Sequence, residues 1–183
     1  MLTEGVDNVH TLCRAVPVLV IHGTRKFLIR IGGPNRDAIS TTNLGTWYAT
    51  VLFWRPQVAL FVNERTLFPV MVPLAPASGV VHRFRAAVGT VLRAHEVDQS
   101  LVDHELAEMR EVSFRTTSNR SVVGVMNEFA FLAGERRDEQ ADLLALSYRL
   151  AHTPCGPLRK SKGFPDLELA AFLDEMLIWR EAR

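Results

Sequence analysis

The stretch that decides the fold is WYATVLFWRPQVALFVNERTLFPVMVP, residues 47–73. It holds three runs of β-branched and aromatic residues, which are typical of strands. The dipeptides RP and ER separate them, and connections this short force neighbouring strands to run antiparallel, so we predict a meander. The middle run is apolar on both faces, which indicates a strand covered on both sides. Pro69 has no N–H to donate, so the third run is expected at a sheet edge or with a bulge.

Shorter elements are predicted upstream of the meander. Residues 15–23, AVPVLVIHG, form a β-branched run closed by a glycine, which predicts a buried strand. Residues 24–31 have helical spacing, and the Gly-Gly-Pro at 32–34 is expected to end that helix. The polar residues 35–43 predict a surface loop.

Helical spacing takes over after the meander. Apolar stripes over residues 81–109 predict a hairpin of two helices, with Asp98 as the N-cap of the second. The remaining predicted elements are a short strand at 111–115 and helices over about 120–133, 139–151 and 166–181.

Together these elements predict one α+β domain over residues 1–183. A mostly antiparallel sheet, with its meander at about 47–73, is packed with helices. The α+β core is expected at about 15–133, and a helical C-terminal extension at about 139–183. A chain of 183 residues leaves no room for two full cores.

The composition fits a soluble globular protein, with 48% hydrophobic and 22% charged residues. The net charge of +1 means that contact with nucleic acid or an anionic membrane would depend on a local patch. Cys13 and Cys155 offer neither a CxxC pair nor a disulfide framework, and no apolar run has the length of a membrane span. We expect a cytoplasmic protein that makes no membrane contact.

A second stretch, RTTSNRSVVGVMNEFAF at residues 115–131, carries the most suggestive polar residues. In a structural interpretation, Ser118 or Asn119 caps the following helix, and Asn127 is partly buried and braces a neighbouring segment. In the alternative interpretation, the stretch forms a ligand site. Free N–H groups at a helix start attract anions, and nearby arginines strengthen that attraction. The candidate ligand-binding residues are Arg115, Thr117, Ser118, Asn119, Arg120, Ser121 and Asn127.

Other candidate chemistry is weaker. Residues 22–26, HGTRK, follow a strand but lack the spacing of a phosphate loop. His152 lies close to Cys155 in sequence, which alone does not create a thiolate nucleophile. We assign no catalytic residues, no metal site and no cofactor, since no metal-ligand spacing, nucleophile elbow or dinucleotide turn is visible. Few cations stand between the aromatic residues of the strands, which are therefore expected in the core: Trp47, Tyr48, Phe53, Trp54, Phe61 and Phe68.

Three blocks carry a resemblance to a known family. They are LGTWYA at 44–49, NERTLFPV at 63–70 and NRSVVGVMNEFAF at 119–131. With these blocks in this order, the chain resembles an uncharacterised bacterial domain family, a domain of unknown function, over about residues 18–133. The resemblance implies one α+β domain and brings no assigned activity.

Three functions remain open. The first is a non-enzymatic binding or accessory protein for a peptide or protein partner. Strand addition at Thr66, Phe68 and Val70 would hold the partner, and the polar residues 115–121 would hold its charge. The second is a small enzyme or toxin-like protein acting on a phosphate-containing substrate such as RNA, through those arginines and a nearby histidine. The third is a structural subunit. In that case the chain could assemble as a homo-oligomer. The first is preferred because no catalytic constellation is visible.

Overall fold

The computed structural model describes residues 18–35, 37–136 and 142–181. The first residues of the strand predicted at 15–23 and of the helix predicted at 139–151 lie outside these ranges. The strands are β1 (Val18–Gly23), β2 (Trp47–Leu52), β3 (Val58–Asn63), β4 (Pro69–Pro73) and β5 (Glu111–Thr116). The helices are α1 (Arg25–Ile31), α2 (Val80–Ala94), α3 (Gln99–Glu108), α4 (Arg120–Glu135), α5 (Leu143–Ala151) and α6 (Pro165–Glu181).

The sheet is mixed, with the strand order β4-β3-β2-β1-β5. The predicted meander is confirmed, because β2 pairs antiparallel with β3 and β3 with β4. β4 is an edge strand, as the missing donor of Pro69 indicated. β1 runs parallel to both of its neighbours, β2 and β5. The class is therefore α+β, and β1 and β5 add parallel pairing to the antiparallel meander.

Apolar cores form on both faces of the sheet, because the strand side chains alternate in direction. On the first face, Trp47 and Phe61 pack with α1, α2, α3 and α6. The ring of Phe61 stacks on Phe84 of α2, with centroids 4.1 Å apart. On the second face, Tyr48 and Leu60 pack with α4 and α5. The middle strand is covered on both sides as predicted, and the C-terminal helices contribute to both cores.

The short helix α1 packs tightly behind β1 because Gly23 has no side chain. A Cβ at this position would lie 2.8 Å from both Phe27 Cδ1 and Leu28 Cδ2. The helix stops at Gly32, whose φ of 95° is left-handed, a conformation that favours glycine. The predicted cap of α3 is confirmed as well, since Asp98 Oδ1 accepts the Ser100 N–H at 2.8 Å.

No helix in residues 18–35, 37–136 and 142–181 is both long and apolar enough to cross a bilayer.

Candidate functional site

The chain leaves β1 and β5 towards opposite faces of the sheet. After β1 it turns into α1 on the first face, and after β5 it runs through residues 117–119 into α4 on the second. Because β1 and β5 are parallel neighbours, the chain segments that follow them diverge and leave a crevice at the carboxyl ends of the strands. Ligands of open α/β sheets bind preferentially at such points.

The crevice has a volume of about 430 Å³. Its lining residues are Gly23, Arg25, Leu28, Ile29, Gly33, Pro34, Thr116 and Thr117. Most of them are apolar, while Arg25 and the two threonines supply the polar groups. A mainly apolar concavity with a few polar groups is the usual composition of a ligand site. The segment HGTRK at residues 22–26 thus contributes Gly23 and Arg25 to the crevice, although it lacks the spacing of a phosphate loop.

Next to the crevice, residues Tyr48, Glu64, Ser118 and Asn119 form a hydrogen-bond network, which we call the Tyr48 network. The Tyr48 hydroxyl donates to Glu64 Oε1 at 3.3 Å and lies 3.1 Å from Ser118 Oγ. It also accepts the Asn119 N–H at 3.1 Å, and Asn119 Nδ2 donates to Glu64 Oε1 at 3.3 Å. The network fastens the segment between β5 and α4 to the middle of the sheet.

His22, at the end of β1, lies against this network. Its ring stacks on that of Tyr48, with centroids 4.9 Å and planes 11° apart. His22 Nδ1 lies 2.6 Å from the carbonyl oxygen of Thr116. A carbonyl can only accept, so Nδ1 carries the proton and Nε2 is the basic nitrogen of the neutral ring. In the β1–β5 register, His22 stands opposite Arg115.

The start of α4 confirms the structural interpretation of its N-cap. Asn119 Oδ1 accepts the N–H groups of Ser121 at 3.1 Å and Val122 at 3.4 Å. Because these two N–H groups already donate to the Asn119 side chain, they are not free to bind an anion. Arg120 and Ser121 are exposed in the first helical turn.

The other predicted residues separate in space. Thr117 lines the crevice, and Arg115 forms an ion pair with Asp37 at 3.0 Å. The prediction that Asn127 is partly buried is wrong, because Asn127 is exposed. The buried stripe of α4 runs through Met126 and Phe129 and turns Asn127 outward. Asn127 also lies about 10 Å along the helix from its start, far from the other residues.

The structure offers no open edge at the residues predicted to receive a partner strand. Thr66, Phe68 and Val70 are 0%, 1% and 0% exposed. Helix α5 packs along β4, where Ser147 Oγ accepts the Met71 N–H at 2.8 Å. An incoming strand would have to displace α5 before it could pair with β4.

Phe53 is an exception among the aromatic residues predicted for the core, because it is 60% exposed. Two cations of α1 lie near its ring, with Lys26 Nζ 5.5 Å and Arg30 Cζ 5.9 Å from the centroid. The strand sequence has no cation beside Phe53, so only the packing of α1 against the end of β2 brings these groups together.

Cys155 and His152 do not form a nucleophilic pair. Burial raises the pKa of the Cys155 thiol to about 11, with a further contribution from Glu128, so the thiolate is disfavoured. His152 Nε2 instead lies 3.6 Å from Asp166 Oδ2. In the part of the chain that the structure describes, no group of three or more His, Cys, Asp or Glu side chains is placed to hold a metal ion.

No curated protein matches this chain. A family model described as Domain of unknown function (DUF6933) matches residues 20–168. The match includes β1 to β5 almost entirely, every residue that lines the crevice and the whole Tyr48 network. The resemblance to an uncharacterised domain family is thereby confirmed, and the chain belongs to the family DUF6933, a domain of unknown function.

Proposed function

We propose that this protein is a non-enzymatic binding module that takes a peptide segment of a partner in the crevice at the ends of β1 and β5. The observation that carries the proposal is the crevice itself, about 430 Å³ of mainly apolar lining with Arg25 beside it. Leu28 and Ile29 suit an apolar side chain, and the Arg25 guanidinium suits a carboxylate. A peptide C-terminus with an apolar last residue supplies both groups, so it is the ligand class that fits best.

The walls of the crevice support this proposal because packing on one side and hydrogen bonds on the other hold them. On one side, α1 packs so closely on β1 that a Cβ at Gly23 would lie 2.8 Å from Leu28 Cδ2. On the other side, the Tyr48 network holds Ser118 and Asn119 in place. A preformed site loses less conformational entropy on binding, which leaves more of the contact energy as affinity.

We place the protein in the reducing cytosol. Cys155 is a buried free thiol, and free thiols are usual where disulfides do not persist. The cytosolic setting and the peptide ligand are independent parts of the proposal.

The test compares two labelled peptides that end in the same leucine. Both have alternating glutamine and leucine residues, and one has a free C-terminal carboxylate while the other is amidated. Fluorescence anisotropy should show tighter binding of the free acid by about tenfold, as a charge-assisted hydrogen bond provides. Arg25→Gln should remove that preference, while Arg159→Gln, at an exposed residue remote in sequence, should keep it. Equal binding of both peptides, or no saturable binding, would overturn the proposal.

A second candidate is an enzyme acting on a phosphate-containing substrate such as RNA. The specific observation is His22, whose Nδ1 is anchored on the Thr116 carbonyl and which stands opposite Arg115. The neutral ring would present Nε2 as a general base, and Arg115, which pairs with Asp37, is the cation at the register position opposite it. Cleavage of an unstructured RNA oligonucleotide by the wild type and its loss in His22→Gln would support this candidate. Intact RNA after incubation with the wild type would exclude it.

A further inference from the structure

The exposed side of α1 carries a concentration of positive charge that the chain's net charge conceals. Residues 18–95 contain nine lysines and arginines against two acids, a balance of 9 − 2 = +7. Residues 96–183 contain eleven against sixteen, a balance of 11 − 16 = −5. The two acids of the first part are Asp37, which pairs with Arg115, and Glu64, which belongs to the Tyr48 network. Neither is an ion-pair partner of α1.

The cations of α1 are grouped around one exposed aromatic ring. Arg25, Lys26 and Arg30 are all exposed, and the last two lie within 6 Å of the Phe53 centroid, at 5.5 Å and 5.9 Å. Within residues 18–35, 37–136 and 142–181 no carboxylate forms an ion pair with these three side chains. We call Lys26, Arg30 and Phe53 the basic patch.

The basic patch adjoins the crevice through the helix that carries both. Arg25, Leu28 and Ile29 line the crevice, while Lys26 and Arg30 lie towards Phe53. A ligand segment that leaves the crevice across α1 would therefore pass over two cations and an apolar ring.

We infer that the basic patch binds acidic side chains of the partner segment whose end occupies the crevice. This rests on the proposed function, and it names the partner class as a segment of alternating acidic and apolar residues. Carboxylates would bind Lys26 and Arg30, and an apolar side chain would contact Phe53. The match of charges would speed association and set specificity, and it would weaken with salt.

The geometry favours an acidic peptide over a single-stranded nucleic acid. α1 has seven residues and is thus only about 10 Å long. Proteins that bind single strands align several aromatic rings along a positive groove that follows the backbone over about four nucleotides or more. Here the cations of α1 lie near a single exposed ring, that of Phe53. The crevice on the other side of α1 is mainly apolar, which suits leucine-like side chains better than phosphates.

The experiment uses two labelled hexapeptides with the same free C-terminal leucine. One alternates glutamate and leucine, and the other alternates glutamine and leucine. The wild type should bind the glutamate peptide about tenfold more tightly at low salt, and the difference should shrink as NaCl rises from about 0.05 M to about 0.5 M. Lys26→Glu combined with Arg30→Glu should remove the difference between the two peptides. At about 0.5 M NaCl, where charges are screened, this variant should bind the glutamine peptide as the wild type does.

The matched control is Arg159→Glu combined with Lys160→Glu, which changes the net charge equally at exposed residues of another region. This variant should keep the preference for the glutamate peptide. Should the charge reversal on α1 unfold the protein, Lys26→Gln combined with Arg30→Gln gives the same test with neutral side chains.

The outcomes separate the inference from the proposed function. Suppose that the glutamate peptide binds through Lys26 and Arg30 while the glutamine peptide does not bind. That result would support acidic side-chain binding at the basic patch and reject peptide binding in the crevice. No preference in the wild type, or a preference that survives the double charge reversal, would overturn the inference. Tighter binding of a labelled deoxythymidine oligonucleotide of equal charge would overturn it too, since the patch would then be a nucleic-acid surface.

Discussion

Replacement of Gly23 by alanine tests the close packing that forms one wall of the crevice. The new Cβ would lie 2.8 Å from Phe27 Cδ1 and from Leu28 Cδ2, which is 3.4 − 2.8 = 0.6 Å inside ordinary contact. Phe27 and Leu28 are only 0% and 6% exposed, so relief of the clash requires Phe27 to shift within the core or Leu28 to shift towards the crevice that it lines. Overpacking of this kind costs about 1–3 kcal/mol of unfolding free energy. For a chain of this size, that lowers the melting temperature by about 2–12 °C.

The matched control is the same substitution at Gly124. This glycine is exposed in α4, and a Cβ there would meet no atom within 4 Å other than those of its chain neighbours and of the helix's own backbone. Gly124→Ala should therefore stabilise the protein by about 0.5–1 kcal/mol, because alanine loses less backbone entropy in a helix. Thermal unfolding followed by circular dichroism measures both variants. A melting temperature of Gly23→Ala equal to that of the wild type, or shifts of the same sign in both variants, would refute the reasoning.

Three further predictions concern groups outside the crevice. Burial raises the pKa of Glu105 above its ordinary 4.5, against hydrogen bonds from Leu44 and Asn43 that lower it. The folded state therefore holds its proton more strongly, and this group's contribution to the unfolding free energy falls as pH rises above 4.5. In urea titrations, the unfolding free energy of Glu105→Gln should decrease less with rising pH than that of the wild type. An equal or steeper decrease would contradict the raised pKa of Glu105. Asn119→Ala should cost about 0.5–2 kcal/mol in the same assay, because it removes the cap of α4; an unchanged midpoint would show that the cap is dispensable. In a Cys13→Ser background, Cys155 should react with iodoacetamide at neutral pH at least about 100-fold more slowly than a thiol with the reference pKa, since its pKa is about 11 rather than 9.0. Reaction at the rate of a free thiol would contradict the burial of Cys155.

Local features of the fold could be predicted because each depends on residues close together in the sequence. The short connections in 47–73, which are residues 53–57 and 64–68 in the structure, fix the antiparallel meander. Pro69 indicates its edge. The caps Asp98 and Asn119 were identifiable from polar residues that directly precede an apolar stripe. The stop after α1 was visible in the two glycines that follow it, the first of which is Gly32.

The candidate site could not be predicted because its parts come from distant segments. The parallel pairing of β1 with β5 joins residues 18–23 to residues 111–116, and no local pattern specifies this register. That pairing brings His22 to Thr116, 94 residues further along the chain. It also places Thr117 opposite α1 across the crevice.

Two side chains were predicted in the wrong surroundings. The sequence shows Phe53 within a β-rich run without cations, and only tertiary packing brings Lys26 to its exposed ring. Asn127 lies between apolar residues in sequence, but the direction of the buried stripe in α4 decides its exposure. The spacing of the buried residues Val122, Met126 and Phe129 sets that direction and leaves Asn127 off the stripe.

The most direct test of the central claim is a titration of the ¹⁵N-labelled protein with the free-acid glutamine–leucine hexapeptide, followed by two-dimensional NMR. Amide signals of Gly23, Gly33 and Thr117 should shift in a saturable way, because these residues line the crevice. The amidated peptide should produce the same pattern at higher concentration. Saturable binding that leaves these signals unchanged and shifts those of Thr66 and Phe68 instead would contradict the account, since the partner would then bind at the covered edge of β4.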